Sequence, residues 1–171
     1  MKYGHFYDAN REDVITQPDT PKPGINYPGS QPSFALTPTT VAAHPFYRDA
    51  KLRRLTRYRY NNVPLDSNGR YFFLRDEEGG FWSPAWQPVR KDLDSYECRH
   101  GLGYPKIAGS YDGIESEVTY TVPLGETIEL HRVKLKNTGD TVRKLTMFSF
   151  IEWCLWDAAE DDRNFQRNLN I

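Results

Sequence analysis

The 171 residues carry 22 Lys and Arg against 23 Asp and Glu, a net charge of −1, so no long-range field recruits nucleic acid or an anionic membrane. The length fits one domain able to bury its own core, and 12 Pro, 12 Gly and 14% aromatic residues suit an all-β domain rich in turns. Cys98 and Cys154 match neither a metal spacing nor a disulfide framework and read as reduced thiols. The N-terminus has no signal-peptide apolar run and no segment reaches membrane-spanning length, so the expected location is cytoplasmic.

Residues 1–31 hold Pro18, Pro21, Pro23 and Pro28 with Gly24 and Gly29. Fixed φ angles and missing N–H donors argue for an irregular arm without a central strand. Its Phe6, Tyr7, Val14, Ile15, Ile25 and Tyr27 predict that this arm packs on the remaining domain, residues 32–171. Next comes a basic stretch, Arg48, Lys51, Arg53, Arg54, Arg57 and Arg59, interleaved with Leu52, Leu55, Tyr58 and Tyr60. Such interleaving suits nucleic acid, but in a neutral chain with acids elsewhere to pair with it, a structural or ligand-facing cluster is the better reading.

Arg70 to Arg75 reads as a strand after the Asp66-Ser-Asn-Gly69 turn, and a second turn at 76–80 leads into Phe81-Trp-Ser-Pro-Ala-Trp86. From Asp94 to Ala108, Tyr96, Cys98, His100, Leu102 and Tyr104 share one face at period two. Gly101-Leu-Gly103 then reads as a strand glycine pair, marking a bulge or a close approach. Asp112-Gly113 predicts a tight hairpin. In its return strand Ile114, Ser116, Val118, Tyr120 and Val122 face inward while Glu115, Glu117, Thr119 and Thr121 face water.

The alternation over 127–136 slips by one near His131-Arg132, which predicts a bulge. After a turn at 137–140, the strand 144–156 is apolar on both faces: Leu145, Met147, Ile151, Trp153 and Leu155 on one, Phe148, Phe150, Cys154 and Trp156 on the other. Such a strand calls for cover on both sides, from a layered sandwich core or a partner domain. A polar, charged loop is expected to follow from Asp157.

Chemistry-bearing motifs are few. His5, His44, His100 and His131 have no zinc spacing, so no metal site is expected, and His100 reads as a hydrogen-bonded core histidine. Glu152, Asp157, Glu160, Asp161 and Asp162 offer carboxylates, but adjacent acids in a polar loop are ordinarily solvated, and no complete acid–base pair emerges. Arg167 stands among amides and an aromatic in Asn164-Phe-Gln-Arg-Asn168. Its rigid fork of donors suits hydroxyl-rich or anionic ligands, although spacing alone gives a surface arginine.

A set of motifs adds to this reading. Met1-Lys-Tyr-Gly-His-Phe6, Phe46-Tyr-Arg-Asp-Ala50, Arg53-Arg-Leu-Thr-Arg-Tyr-Arg-Tyr-Asn-Asn-Val-Pro64, Arg99-His-Gly-Leu-Gly-Tyr104, Val122-Pro-Leu-Gly-Glu126, Cys154-Leu-Trp156 and Asn164-Phe-Gln-Arg-Asn-Leu169 together resemble the cellobiose phosphorylases of glycoside hydrolase family 94. The resemblance runs the length of the chain, yet covers only the N-terminal β-sandwich of those several-fold longer enzymes. It implies a large antiparallel sandwich (a supersandwich, galactose-mutarotase-like), cut short at its C-terminal end, with the helical barrel of the complete enzyme absent.

The resemblance further implies cleavage of cellobiose by inorganic phosphate, with inversion, to α-glucose 1-phosphate and glucose. Phosphate is a co-substrate and no cofactor is needed. The general-acid aspartate and the phosphate site would lie on the barrel, so this chain alone is expected to be inert and to hold no catalytic residue. By the same resemblance Arg167 would bind the acceptor sugar in the +1 subsite, with Asn164, Gln166 and Asn168 as neighbours in the loop. The family's loop differs where acceptors are oxidised or N-acetylated, which favours cellobiose. A homodimer is implied as well, with no nucleic-acid or membrane partner. Departures from the family pattern cluster at Gly24, Pro28, Ala42, Ala43, His44 and Pro45 and bear on the arm. From a different class stands a stand-alone carbohydrate-binding or assembly module, with Trp82, Trp86 and Trp153 as sugar-stacking candidates, Trp153 reading better as core.

Overall fold

Asp112 (φ 49°) and Gly113 (φ 76°) take the two left-handed positions expected of them, and the hairpin they close is the centre of the fold. The computed structural model describes residues 2–21, 25–26, 29–30, 33–34, 37–38, 45–57, 69–77, 80–155 and 157–163. Strand β1 (Gly4–Tyr7) and β2 (Glu12–Ile15) open the chain. Two-residue strands follow: β3 (Ile25–Asn26), β4 (Gly29–Ser30), β5 (Ser33–Phe34), β6 (Thr37–Pro38) and β7 (Phe46–Tyr47). Then come β8 (Arg70–Asp76), β9 (Phe81–Trp82), β10 (Ser95–Gly101), β11 (Tyr104–Tyr111), β12 (Ile114–Thr121), β13 (Leu130–Asn137), β14 (Leu145–Ile151) and a helix, α1 (Ala158–Arg163). Among the described residues no helix is long and apolar enough to cross a membrane.

Two antiparallel sheets face one another. The larger has the order β1-β2-β10-β11-β12-β13, the smaller β14-β8-β9, and short pairings join β3 to β6 and β4-β5-β7. The inner face of the larger sheet carries Ile15, Cys98, Ile107, Val118 and Tyr120, with Phe72 of β8 packed on them. A second cluster of Leu74, Trp82 and Ile114 bridges the two sheets. Arg143 ties them at one end: its guanidinium pairs with buried Asp76 and donates to the Asp112 carbonyl (3.0 Å) and carboxylate (2.8 Å). The all-β sandwich expected from composition and pattern is therefore what forms, and β12 buries Ile114, Ser116, Val118 and Tyr120 as its alternation requires.

Four local expectations are corrected. The first half of the supposed arm is an ordered hairpin, and β2 lies inside the large sheet, paired with β10 through Cys98↔Ile15 and Arg99↔Val14. The prolines begin only at Pro18 and constrain nothing before it. Residues 94–108 are a hairpin, not one strand: β10 and β11 meet at Gly101↔Tyr104. Gly103 takes φ +83°, and a Cβ on Gly101 would lie 2.4 Å from the Tyr104 ring. There is no bulge in β13, whose register with β12 runs unbroken from Thr121↔Leu130 to Ile114↔Asn137; Ile128 simply precedes the strand. Finally, the expected polar loop after the last strand begins as helix α1.

Strand β14 pairs with β8 along its whole length. By that register Leu145, Met147 and Ile151 share the inner face with Phe72 and Leu74, while Phe148 and Phe150 stand outside with Phe73 and Tyr71. Among the described residues the cover is partial: Tyr71 on the outer face is buried, whereas Met147 to Ile151 of β14 itself are exposed. Met147, Phe148 and Phe150 are 48%, 47% and 45% exposed, and among the described residues β14 is an edge strand of its sheet.

Candidate functional site

The basic stretch at 48–57 and the acidic stretch at 152–162 meet in space. Asp49 starts the approach: its Oδ1 accepts from the backbone N–H of Lys51 and of Leu52 (2.7 Å each), making an Asx turn. These bonds, that of Leu52 foremost, hold the carboxyl below its usual range. Leu55 then accepts from the N–H of Cys154 (2.9 Å), Arg57 donates its own N–H to Glu152 (2.8 Å), and Thr56 bridges Trp153. A short antiparallel pairing thus carries β14 onward past Ile151.

At the end of this pairing sits the strongest charge constellation of the region. Arg57 Nε donates to both oxygens of Asp161 (3.0 Å each) and Nη2 donates to Oδ1 (2.9 Å). Nη1 reaches Glu152 Oε1 at 3.2 Å. The Asp161 side chain is buried and that of Arg57 largely so, so this fork is a fixed, water-poor contact rather than a surface pair. Asp161 lies on α1, whose N-terminus is capped by Asp157: its Oδ1 accepts from the N–H of Ala159 (2.8 Å) and Glu160 (3.4 Å). A backbone bond from Ala158 N–H to the Lys51 carbonyl (2.6 Å) completes the dock.

The remaining arginines of the stretch are occupied structurally. Arg48 and Arg53 lie over the Tyr47 ring at 5.0 and 5.7 Å, and Arg54 Nε donates to the Ala50 carbonyl (3.0 Å). This fits a structural cluster better than a phosphate-tracking groove. The expected acceptor residues Asn164, Gln166, Arg167 and Asn168 lie outside the described residues, which reach Arg163, directly before them in the chain. Of the five acids weighed as carboxylate candidates, Glu152 and Asp161 serve Arg57 and Asp157 serves the helix cap.

Two further polar clusters brace the sandwich. Between the sheets, buried Arg70 pairs with Glu129 and stacks 4.8 Å from the Tyr120 ring centroid. Burial pushes the Glu129 carboxyl up, but Arg70 and His131 outweigh it and hold it below the usual range. On the β1–β2 side, Glu12 accepts from Tyr104 Oη (2.5 Å) and Arg99 Nη1 (2.9 Å). The Tyr104 hydrogen bond, with Arg99 beside it, depresses the Glu12 carboxyl despite its burial. His100 is half-buried, 3.7 Å from Cys98 Sγ, and burial lowers its pKa.

Among the sugar-stacking candidates the roles invert. Trp82, 1% exposed, is core, packed 5.0 Å from Tyr111, and Trp86 is half-buried with Arg90 over its ring at 5.3 Å. Trp153, read as core, is 42% exposed. Sequence reasoning missed the Arg57–Asp161 pairing; the usable signal was two oppositely charged runs in a chain with a net charge of only −1.

The family model "Glycosyl hydrolase 94, supersandwich domain" matches residues 11–171. The chain is 41% identical over 172 residues to N,N'-diacetylchitobiose phosphorylase of Vibrio proteolyticus, which takes in 99% of this chain and 21% of that protein. It is 33% identical to solabiose phosphorylase of Paenibacillus borealis, over 90% of this chain and 20% of the relative. With 3-O-beta-D-glucopyranosyl-beta-D-glucuronide phosphorylase of the same organism it shares 36% identity, over 86% of this chain and 18% of the relative. The chain thus spans about a fifth of the length of the curated relatives it matches.

Proposed function

This chain belongs to glycosyl hydrolase family 94, in the supersandwich domain of that family, and on that premise we propose that it works as the N-terminal sandwich of an inverting disaccharide phosphorylase. The observation that carries the reading is the family match over residues 11–171. The half-exposed aromatic strand β14 supports it, because such a strand suits a domain that works under cover of further polypeptide.

In this reading inorganic phosphate is the nucleophile, and the general acid and phosphate-binding groups are supplied by the helical barrel. The sandwich contributes Arg167 to the acceptor subsite, flanked by Asn164, Gln166 and Asn168, and lends its uncovered face to the barrel. The chain by itself is inert. The complete enzyme is a cytoplasmic homodimer, without cofactor, that turns cellobiose and phosphate into α-glucose 1-phosphate and glucose. A second substrate reading, N,N'-diacetylchitobiose, is favoured by the 41% identity to a phosphorylase named for that sugar.

The test is run in the synthetic direction on the complete enzyme, with glucose and N-acetylglucosamine as rival acceptors. Arg167→Ala should raise the KM for the preferred acceptor roughly ten- to a hundredfold, the loss of one charged hydrogen bond worth about 1.5–3 kcal/mol. An unchanged KM removes Arg167 from the subsite. Preference for glucose selects the cellobiose reading; preference for N-acetylglucosamine selects the other.

A further inference from the structure

We propose that the loop at residues 47–53 binds a phosphate-class oxyanion, inorganic phosphate or a sugar phosphate, through the guanidinium groups of Arg48 and Arg53, with Lys51 in the same loop. The inference goes beyond the reading above, because it concerns a ligand of this chain itself. The first observation is charge. Residues 46–56 carry four cationic side chains, Arg48, Lys51, Arg53 and Arg54, against one carboxylate, Asp49. Asp49 turns its Oδ1 onto the backbone N–H groups of Lys51 and Leu52 (2.7 Å each). The arginines that brace the fold behave differently: Arg57, Arg70, Arg99 and Arg143 each meet a carboxylate. Arg48, Lys51 and Arg53 are exposed, and none of these three side chains meets a carboxylate at ion-pair distance among the described residues.

The second observation is that the two guanidinium groups are gathered at one place. Both lie over the ring of Tyr47, at 5.0 Å for Arg48 and 5.7 Å for Arg53. Stacking engages the flat faces of these groups and leaves their N–H edges free. Neither side chain has a hydrogen-bond partner among the described residues. Two like charges held at a single ring repel each other, and an oxyanion reached by both forks turns that repulsion into attraction.

The third is that the loop is set before a ligand arrives. Tyr47 N–H donates to the Arg53 carbonyl (3.0 Å), Arg53 N–H to that of Asp49 (3.0 Å) and Asp49 N–H to that of Tyr47 (2.7 Å). Arg48 takes φ 62°, a left-handed conformation unfavourable to a residue with a Cβ and kept only where the surroundings dictate it. Helix α1 braces the loop from outside, Ala158 N–H donating to the Lys51 carbonyl (2.6 Å). Backbone order of this kind is fixed on folding, so binding does not bear its cost. The chemistry selects the ligand class. A phosphate group offers several charged oxygens, enough to accept from two planar forks and an ammonium together, where one carboxylate has only two.

The experiment titrates the 171-residue chain with inorganic phosphate and with α-glucose 1-phosphate at constant ionic strength, read by amide NMR. Saturable shifts confined to residues 46–56 are expected with both probes. Arg48→Gln and Arg53→Gln should each weaken binding by about tenfold, the loss of a charged hydrogen bond. Arg48→Lys, which keeps the charge and loses the fork, should fall between Arg48→Gln and the wild type. Arg132→Gln, at an exposed arginine of β13, should leave binding unchanged. The amide spectrum of each variant without ligand shows whether it is folded, and Arg48→Lys serves where Arg48→Gln is not.

Equal affinity for the two probes assigns recognition to the phosphate group alone; tighter α-glucose 1-phosphate adds contacts to the sugar, and either result supports the site. If neither probe gives a saturable shift, the proposal is overturned. It is overturned equally if Arg132→Gln weakens binding as much as Arg48→Gln, since the effect is then the general field of surface cations. Binding of a glutamate-rich peptide through Arg48 and Arg53, with no phosphate binding, would assign the loop to an acidic polypeptide surface instead.

Discussion

The two sides of the sandwich follow different rules. On the closed side, β2, β10, β11 and β12 are paired on both edges, their inner residues Cys98, Ile107 and Val118 are fully buried, and their outer charges neutralise one another. Glu117 meets Lys106 at 3.6 Å and Lys134 at 3.3 Å. On the open side, β13 and β14 are edge strands among the described residues, and the outer face of the small sheet shows an aromatic cluster. Phe73 stacks on Phe81 at 5.7 Å and Phe150 lies 6.5 Å from Phe73. The closed side satisfies itself; the open side carries apolar area and strand edges at once, a combination that soluble domains ordinarily cover. Family resemblance and packing thus point the same way from independent observations.

The largest test of that contrast pairs two truncations in the isolated chain. Trp82→Ala removes a side chain fully buried between the sheets against Leu74 and Ile114 and should lower stability by about 3–5 kcal/mol, read from urea unfolding. Met147→Ala, on the same inner side but at the open edge, should cost less than about half as much, since half its surface is already in water. Equal losses would mean that the open side is already covered in this chain, and the contrast would fail.

Next in size is the far edge of the closed sheet, where a buried ion pair adds to the apolar burial of Val14 and Ile15 in holding the hairpin. Glu12→Gln weakens the contacts with Tyr104 and Arg99 and should cost about 1.5–3 kcal/mol at neutral pH. The carboxyl lies below its ordinary value of 4.5 in the folded chain, so its contribution is complete above that value and is lost as pH falls through the lowered one. Wild type should therefore lose stability below about pH 4.5 more steeply than Glu12→Gln. Parallel acid profiles would show that the pair does not hold β2 to β10 and β11.

What could be read from the sequence tracks how local the cause is. The alternation of β12 and the Asp112-Gly113 turn needed only neighbours in the chain, and both form as read. The β10–β11 hairpin was hidden because Leu102 and Tyr104 continue the parity of Tyr96 and Cys98 across the turn; Gly103 was the single cue. The prolines at 18–28 were allowed to speak for residues 4–15, whose pairing with β10 is set by contacts some 85 positions away, Cys98↔Ile15 among them. Helix α1 escaped because its six residues owe their place to Asp157 and to Arg57, and a cap is legible locally where a partner 104 positions distant is not. Whether β14 is covered by a layered core or by a partner domain stayed open for a related reason: a doubly apolar pattern states what a strand needs, not whether the same chain supplies it.

The smallest expected effect lies on the outer face of the closed sheet. Lys136 Nζ meets Glu115 at 3.1 Å, but the two side chains are 70% and 54% exposed, so water and salt screen the pair and holding two long side chains together costs entropy. Lys136→Ala and Glu115→Ala should each change stability by less than about 0.5 kcal/mol, with a coupling in the double variant no larger than that. The closed side draws its stability from the buried face, so its outer charges can be exchanged freely. A coupling above about 1 kcal/mol, surviving at high salt, would instead mark this ladder as part of what closes the sheet, and the contrast between the two sides would then rest on electrostatics as much as on burial.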